Sequence, residues 1–271
     1  MTAVRKVRDA LKRAEVALYV VTAVLGLYLA GGNAMRGAKW PDEATWQPWT
    51  VWFCALVAAA LYVPLYALYK AIDAHFEESD KEAAEAEKAK AATDADLQLI
   101  CQRVVSAVSE ACPAVAINDL AAHVWLCRDD GSFDRRAFFT LPEKRKSSGI
   151  VWRKGRGVAG MAWEGNEDLR SDLRPLHDKL ADLGAAGFDE LPAKERHGLT
   201  AAEVRSSRQY TGVCAMRLFS QDETRRLLGI FIIDYMGRGE FDCVAEASRR
   251  RPISTYLAGC EEILSTATAA L

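Results

Sequence analysis

The hydrophobic positions of this chain fall into two regimes. Before residue 70 they form two unbroken runs, 16–32 (VALYVVTAVLGLYLAGG) and 49–69 (WTVWFCALVAAALYVPLYALY), neither carrying a charge. Runs of this length, apolar on every side, predict membrane-spanning helices rather than surface helices. After residue 70 the pattern becomes periodic. Residues 71–96 are rich in Ala, Glu and Lys with almost no apolar face, and predict a solvated helical stalk, a disordered linker being the alternative. Leu97, Cys101, Val104, Val108 and Ala111 then recur at helical spacing, predicting an amphipathic helix that ends before Pro113. Beyond it the period drops to two. Segments 123–128 (HVWLCR), 136–141 (RAFFTL), 212–219 (GVCAMRLF) and 227–235 (LLGIFIIDY) predict strands, the last two joined by the short polar turn SQDETRR into an antiparallel hairpin. Helix and loop fill the stretch between the early and late strands, and a final amphipathic helix is predicted near 253–264. The order predicts an α+β fold with a central antiparallel sheet flanked by helices.

Charge decides the orientation of the two runs. Arg5, Lys6, Arg8, Lys12 and Arg13 precede the first, Lys70, Lys81, Lys88 and Lys90 follow the second, and the loop between holds only Arg36 and Lys39. The positive-inside rule therefore predicts a multi-pass protein of the inner (cytoplasmic) membrane, in contact with lipid, with both termini in the cytoplasm. Trp40, Trp46, Trp49 and Trp52 stand where an interfacial aromatic belt belongs. A cleaved signal peptide is the rival for the first run, but the apolar stretch is long and no convincing small-x-small cleavage site precedes the tryptophans. The expected organisation is a basic N-terminus (1–15), a transmembrane hairpin (16–70), a stalk (71–96) and a sensory domain (97–271). Thr22, Gly26 and Ala30, and Ala55 with Ala59, place small residues along one face of each span, which suits close packing within a hairpin or between copies. Pro64 is expected to kink the second span. Neither span carries an ionisable side chain, which weighs against a transporter or pump.

Composition adds exclusions. The formal net charge of -2 offers nothing to a polyanion, so no nucleic-acid partner is expected. The 7 cysteines include no C-x-x-C pair, which predicts buried reduced thiols rather than a disulfide framework or a zinc site; redox sensing by one thiol is the sharper alternative. The 4 histidines lack metal-ligand spacing, and no nucleophile elbow, P-loop or paired carboxylate stands out, so the chain is expected not to be an enzyme. No cofactor is indicated. Gly155, Gly157 and Gly160 match a dinucleotide fingerprint by letter, but no parallel βαβ unit surrounds them; a tight turn into a helix explains them.

Three segments, 149–167 (GIVWRKGRGVAGMAWEGNE), 209–218 (QYTGVCAMRL) and 225–235 (RRLLGIFIIDY), together resemble a GAF domain. The N-K-F-D-E type motif of the family's cyclic-nucleotide-binding members is absent, and Arg217 stands where the family often has proline. The resemblance implies a ligand pocket between the sheet and the helical insert. Trp152, Arg156, Trp163, Asp168 and Arg174 of the insert, with Tyr210, Arg217 and Asp234 of the strands, are the candidate ligand-binding residues; they combine flat apolar surface with charge for a nucleotide-like small molecule. The expected function is a membrane-anchored signalling protein whose GAF-like domain binds a small ligand or partner and relays the signal by homo-oligomerisation. With no kinase or cyclase segment after that domain, output is expected through the helices, oligomer state or a partner. The alternative is a transmembrane effector of nucleotide-triggered antiphage defence that disrupts the inner membrane.

Overall fold

The computed structural model describes Arg13, Tyr19 and residues 48–141, 150–239 and 241–269, the side chains of 48–63, 65, 268 and 269 excepted. The first apolar run, Tyr19 apart, lies outside the described residues, and so do the loop after it and most side chains of the second run. Among the described residues no helix is long and apolar enough to cross a membrane, so the hairpin expected at 16–70 has no counterpart among them. The chain divides into two units, 1–87 and 88–271.

Helix α1 (Pro48–Ala111) includes both the alanine- and glutamate-rich stalk and the amphipathic segment after it. Stalk side chains are mostly exposed, whereas Leu97, Cys101, Val104, Val105 and Val108 are fully buried. The second unit continues with β1 (Leu120–Cys127), β2 (Phe133–Thr140), α2 (Gly157–Gly165), β3 (Leu169–Asp172), α3 (Arg174–Glu190), α4 (Ala201–Ser206), β4 (Gly212–Phe219), β5 (Leu227–Tyr235), α5 (Asp242–Ala247) and α6 (Arg251–Ala269). The strands form one antiparallel sheet in the order β2-β1-β5-β4-β3. The β4–β5 hairpin follows the sequence expectation, and β1 and β2 overlap the strands expected at 123–128 and 136–141. Strand β3 does not: the insert, expected to be helix and loop, adds a polar edge strand held by β4.

Alternation along the strands separates two cores. Leu120, Ala122, Val124, Met216, Leu218, Phe231 and Ile233 face the layer of α1, α5 and α6. Trp125, Ala215, Ile230 and Ile232 face the insert helices α2, α3 and α4. Burying a phenylalanine such as Phe231 completely makes its truncation to alanine cost about 3–5 kcal/mol.

Local devices set the insert. Gly155 and Gly157 adopt positive φ of 78° and 66° in the turn that enters α2, and the Gly157 amide donates to the His197 carbonyl at 2.7 Å. A Cβ on Gly157 would lie 2.2 Å from the Trp152 ring, so the glycines serve the turn and the close packing. Asn166 ends α2 in the left-handed region, and a capping box of Thr200 and Glu203 starts α4. One expectation is corrected: Cys112 and Cys243 form a disulfide, with Cα atoms 5.9 Å apart, between the end of α1 and α5. The two are 131 residues apart, and their juxtaposition comes from the tertiary packing of α1 against α5, which sequence spacing does not encode. Cys101, Cys214 and Cys260 are buried free thiols, as expected.

Candidate functional site

The insert-facing side of the sheet carries a polar centre in an aromatic setting. His123 of β1 and Asp234 of β5 are joined through His123 Nε2 and Asp234 Oδ2 at 2.8 Å, with residue exposures of 8% and 9%. Asp234 lies opposite Ala121, and His123 opposite Phe138, so the small Ala121 side chain separates Asp234 from Thr140 along one sheet row. The imidazole packs on Phe138 with centroids 4.6 Å apart and meets the edge of Trp125 at 6.2 Å. Trp125 in turn contacts Phe133 at 5.2 Å and Trp152 at 5.8 Å, and Phe133 contacts Trp163 at 5.0 Å.

Three buried polar atoms of this face, His123 Nδ1, Trp125 Nε1 and Thr140 Oγ1, have no hydrogen-bond partner among the described residues. Buried polar atoms are ordinarily paired, so three on neighbouring positions of one face make it the candidate site. A carboxylate only accepts, so a bond to the Asp234 carboxylate places a proton on His123 Nε2, and in the singly protonated tautomer Nδ1 is an acceptor. Trp125 Nε1 is a donor only. The face therefore offers His123 Nδ1, the Trp125 Nε1 donor and a Thr140 hydroxyl that can donate or accept, beside aromatic surface.

The eight residues singled out from sequence separate into four groups. Trp152 and Trp163 are half-buried and build the aromatic cluster. Asp234 holds His123. Tyr210 packs partly buried against the same core, and its carbonyl meets His177 Nε2 at 2.9 Å. The remaining four are bound into ion pairs. Arg156 pairs with Glu203. Arg174 clasps Asp172 through Nε at 2.9 and 3.0 Å and donates to the Gly239 carbonyl at 3.1 Å. Arg217 points to the insert side, away from Met216 and Leu218. Its backbone N–H and Nε both donate to the Asp168 Oδ1, at 3.0 and 3.3 Å, and its guanidinium reaches Asn166, so the turn before β3 is tied to β4.

These pairs leave their mark on titration. Hydrogen bonds from Arg174 hold Asp172 below the usual carboxylate range. Burial raises Glu203, but bonds from Thr200 and Arg156 outweigh it and the net shift is downward. Burial, with a smaller contribution from Lys179, lowers His197. Burial pushes Cys214 and Cys260 up to about 12, and the half-buried Cys127 as well. None of these thiols has the depressed pKa of a reactive cysteine. Among the described residues no group of His, Cys, Asp or Glu is arranged to hold a metal ion.

His123, Trp125, Phe138 and Thr140 were not singled out from sequence. The available signal was alternation: His123 and Trp125 flank Val124 in a strand, which puts both on the face opposite the valine. An open depression of about 500 Å3 lies elsewhere, between Ala91, Asp94, Ala95 and Gln98 of α1 and residues 135–138 of β2.

An antiparallel sheet between two helical layers, with a polar pair under the insert, makes this an α+β domain. The fold is GAF-like. It is similar to the GAF domain region of a protein from Geobacter sulfurreducens PCA (14% identity, TM-score 0.37, covering 66% of this chain and 97% of that one). It is also similar to the GAF domain of an Acinetobacter phosphoenolpyruvate-protein phosphotransferase (15%, 0.35, covering 65% and 91%). A third similar structure is the phycoerythrobilin-bound GAF domain of a cyanobacterial phytochrome (9%, 0.34, covering 66% and 97%). The likeness is one of fold, and no residue role is transferred from these proteins. No family model and no curated protein matches the chain.

Proposed function

We propose that the second unit is a sensory module that binds a small planar molecule on the insert-facing side of β1, β2 and β5. One observation carries this reading: His123 Nδ1, Trp125 Nε1 and Thr140 Oγ1 are buried, unpartnered among the described residues, and set beside Phe138 and Trp125. The complementary ligand presents a donor to His123 Nδ1 and an acceptor to Trp125 Nε1, as the lactam edge of a flat heterocycle does. Burying such an edge against unpaired groups favours binding strongly, because each leaves an unsatisfied state on complexation.

In this reading the protein is held at the membrane by the uncharged runs 16–32 and 49–69, and acts as a homo-oligomer. The second run belongs to the same helix, α1, that packs on the sheet, so anchor and sensor share one element. It is not an enzyme, and its output is a change in helix packing. The test is mass spectrometry of small molecules released by denaturing the detergent-purified full chain, with Trp125→Phe as comparison. Stoichiometric release of a flat heterocycle from the wild type, reduced in the variant, is expected. Equal release from both, or none from either, overturns the assignment.

A further inference from the structure

We infer that strand β2 relays the state of the His123 site to helix α1 through a bulge at Arg136; this rests on the site reading above. In the β1–β2 pairing Val124 faces Ala137 and Trp125 faces Arg135, so Arg136 is the extra residue of a bulge and has no partner on β1. A bulge re-aims a side chain. Here the Arg136 Nε donates to Asp94 Oδ1 of α1 at 2.7 Å, with the arginine side chain only 10% exposed. Two residues on, Phe138 lies against the His123 imidazole at 4.6 Å, and the Arg135 guanidinium covers the same phenyl ring at 5.4 Å. Between them Ala137 is buried in the core that α1 completes.

Three consecutive residues of one strand thus touch the helix, the core and the site. The strand has room to move: β2 is one of the two sheet edges and is held by β1 alone. A ligand that hydrogen-bonds His123 Nδ1 sets the imidazole, and with it Phe138. The bulge converts a shift of Phe138 into a shift of the Arg136–Asp94 link, because Arg136 has no register partner on β1. Ligand binding then biases α1 only so far as the two positions of β2 differ in affinity for ligand.

The relay is tested without ligand, by amide hydrogen exchange of the full chain in detergent, read on α1 residues 90–98. Phe138→Leu is expected to raise exchange there about fivefold, and by less than about twofold when Asp94→Asn is already present, as coupled residues behave. Independent effects that multiply overturn the relay. Gln98→Ala, which touches the same depression beside α1, is expected to leave exchange unchanged. A rise equal to that of Phe138→Leu means general loosening and also overturns it. Because the cycle contains no ligand, failure of the site reading leaves its outcome intact. Additive effects in a protein that still releases its heterocycle remove the relay alone.

Discussion

Asp234 holds His123 from a position 111 residues away in sequence, across two adjacent strands and out of solvent. The bond uses Nε2, so the ring nitrogen left for chemistry is Nδ1. A buried pair of this kind is costly to break and nearly neutral to replace as a whole. Asp234→Ala is therefore expected to destabilise the domain by about 2 kcal/mol, measured by urea unfolding, and the double variant His123→Phe/Asp234→Leu to recover most of that loss. Simple additivity of the two single losses would show that the residues do not act as a pair.

Trp125→Phe removes an indole N–H that has no partner among the described residues while keeping most of the packing against Phe133 and Trp152. The unliganded domain should lose less than about 1 kcal/mol, because the lost contact area is offset by removal of an unsatisfied donor. Ligand affinity should fall about tenfold, the worth of one hydrogen bond in a buried site. A variant that loses stability and keeps its affinity runs against the role given to Nε1.

How much of this was legible in the sequence differs by element. β1, β4 and β5 read as nearly continuous apolar, strand-forming runs because each is covered on both faces, and the buried stripe of α1 from Leu97 to Val108 follows helical spacing. β3 was not legible: Leu169, Arg170, Ser171 and Asp172 are all only partly buried, and the strand exists because β4 offers an edge. The bulge at Arg136 leaves no trace in a segment that reads as a plain strand. Of the nominated charges, Arg156, Asp168 and Arg217 are taken up by ion pairs between residues far apart in sequence, which only tertiary contact reveals, and Arg174 by its neighbour Asp172. Composition alone does not tell a ligand-facing arginine from one that ties a strand to a loop.

His197 supplies the acid response. Its folded pKa lies below the ordinary value of 6.5, chiefly through burial. With the folded value depressed, the unfolded chain takes up the proton first, so stability is full above about pH 6.5 and falls as pH drops through that value. Urea midpoints should decline from about pH 7 to about pH 5.5 more steeply in the wild type than in His197→Asn. Asparagine suits the site because residue 197 has a φ of 53°. Parallel declines in the two proteins would assign the acid response to other groups.

Gly157→Ala meets two obstacles, a φ of 66° and the Trp152 ring 2.2 Å from the new Cβ. A loss of about 2 kcal/mol or more is expected. Gly165→Ala, whose nearest neighbour stands at 3.6 Å, should change stability by less than about 0.5 kcal/mol or raise it. Equal losses from the two substitutions would mean that the turn into α2 is not what needs Gly157.

Native protein treated with iodoacetamide at neutral pH should leave Cys101, Cys214 and Cys260 unlabelled, since burial raises all three thiols. After denaturation without reductant those three should react, while peptides containing Cys112 and Cys243 stay joined until reductant is added. Labelling of Cys112 before reduction contradicts the cross-link between α1 and α5.

The most direct measurement is the indole N–H resonance of Trp125 in the detergent-solubilised full chain, assigned by its disappearance in Trp125→Phe. It is followed as the small-molecule fraction released by denatured protein is titrated back. A saturable downfield shift, accompanied by a shift of His123 Nδ1, is the predicted result. Resonances that stay fixed while that fraction is bound elsewhere on the protein would contradict the placement of the ligand beside β1.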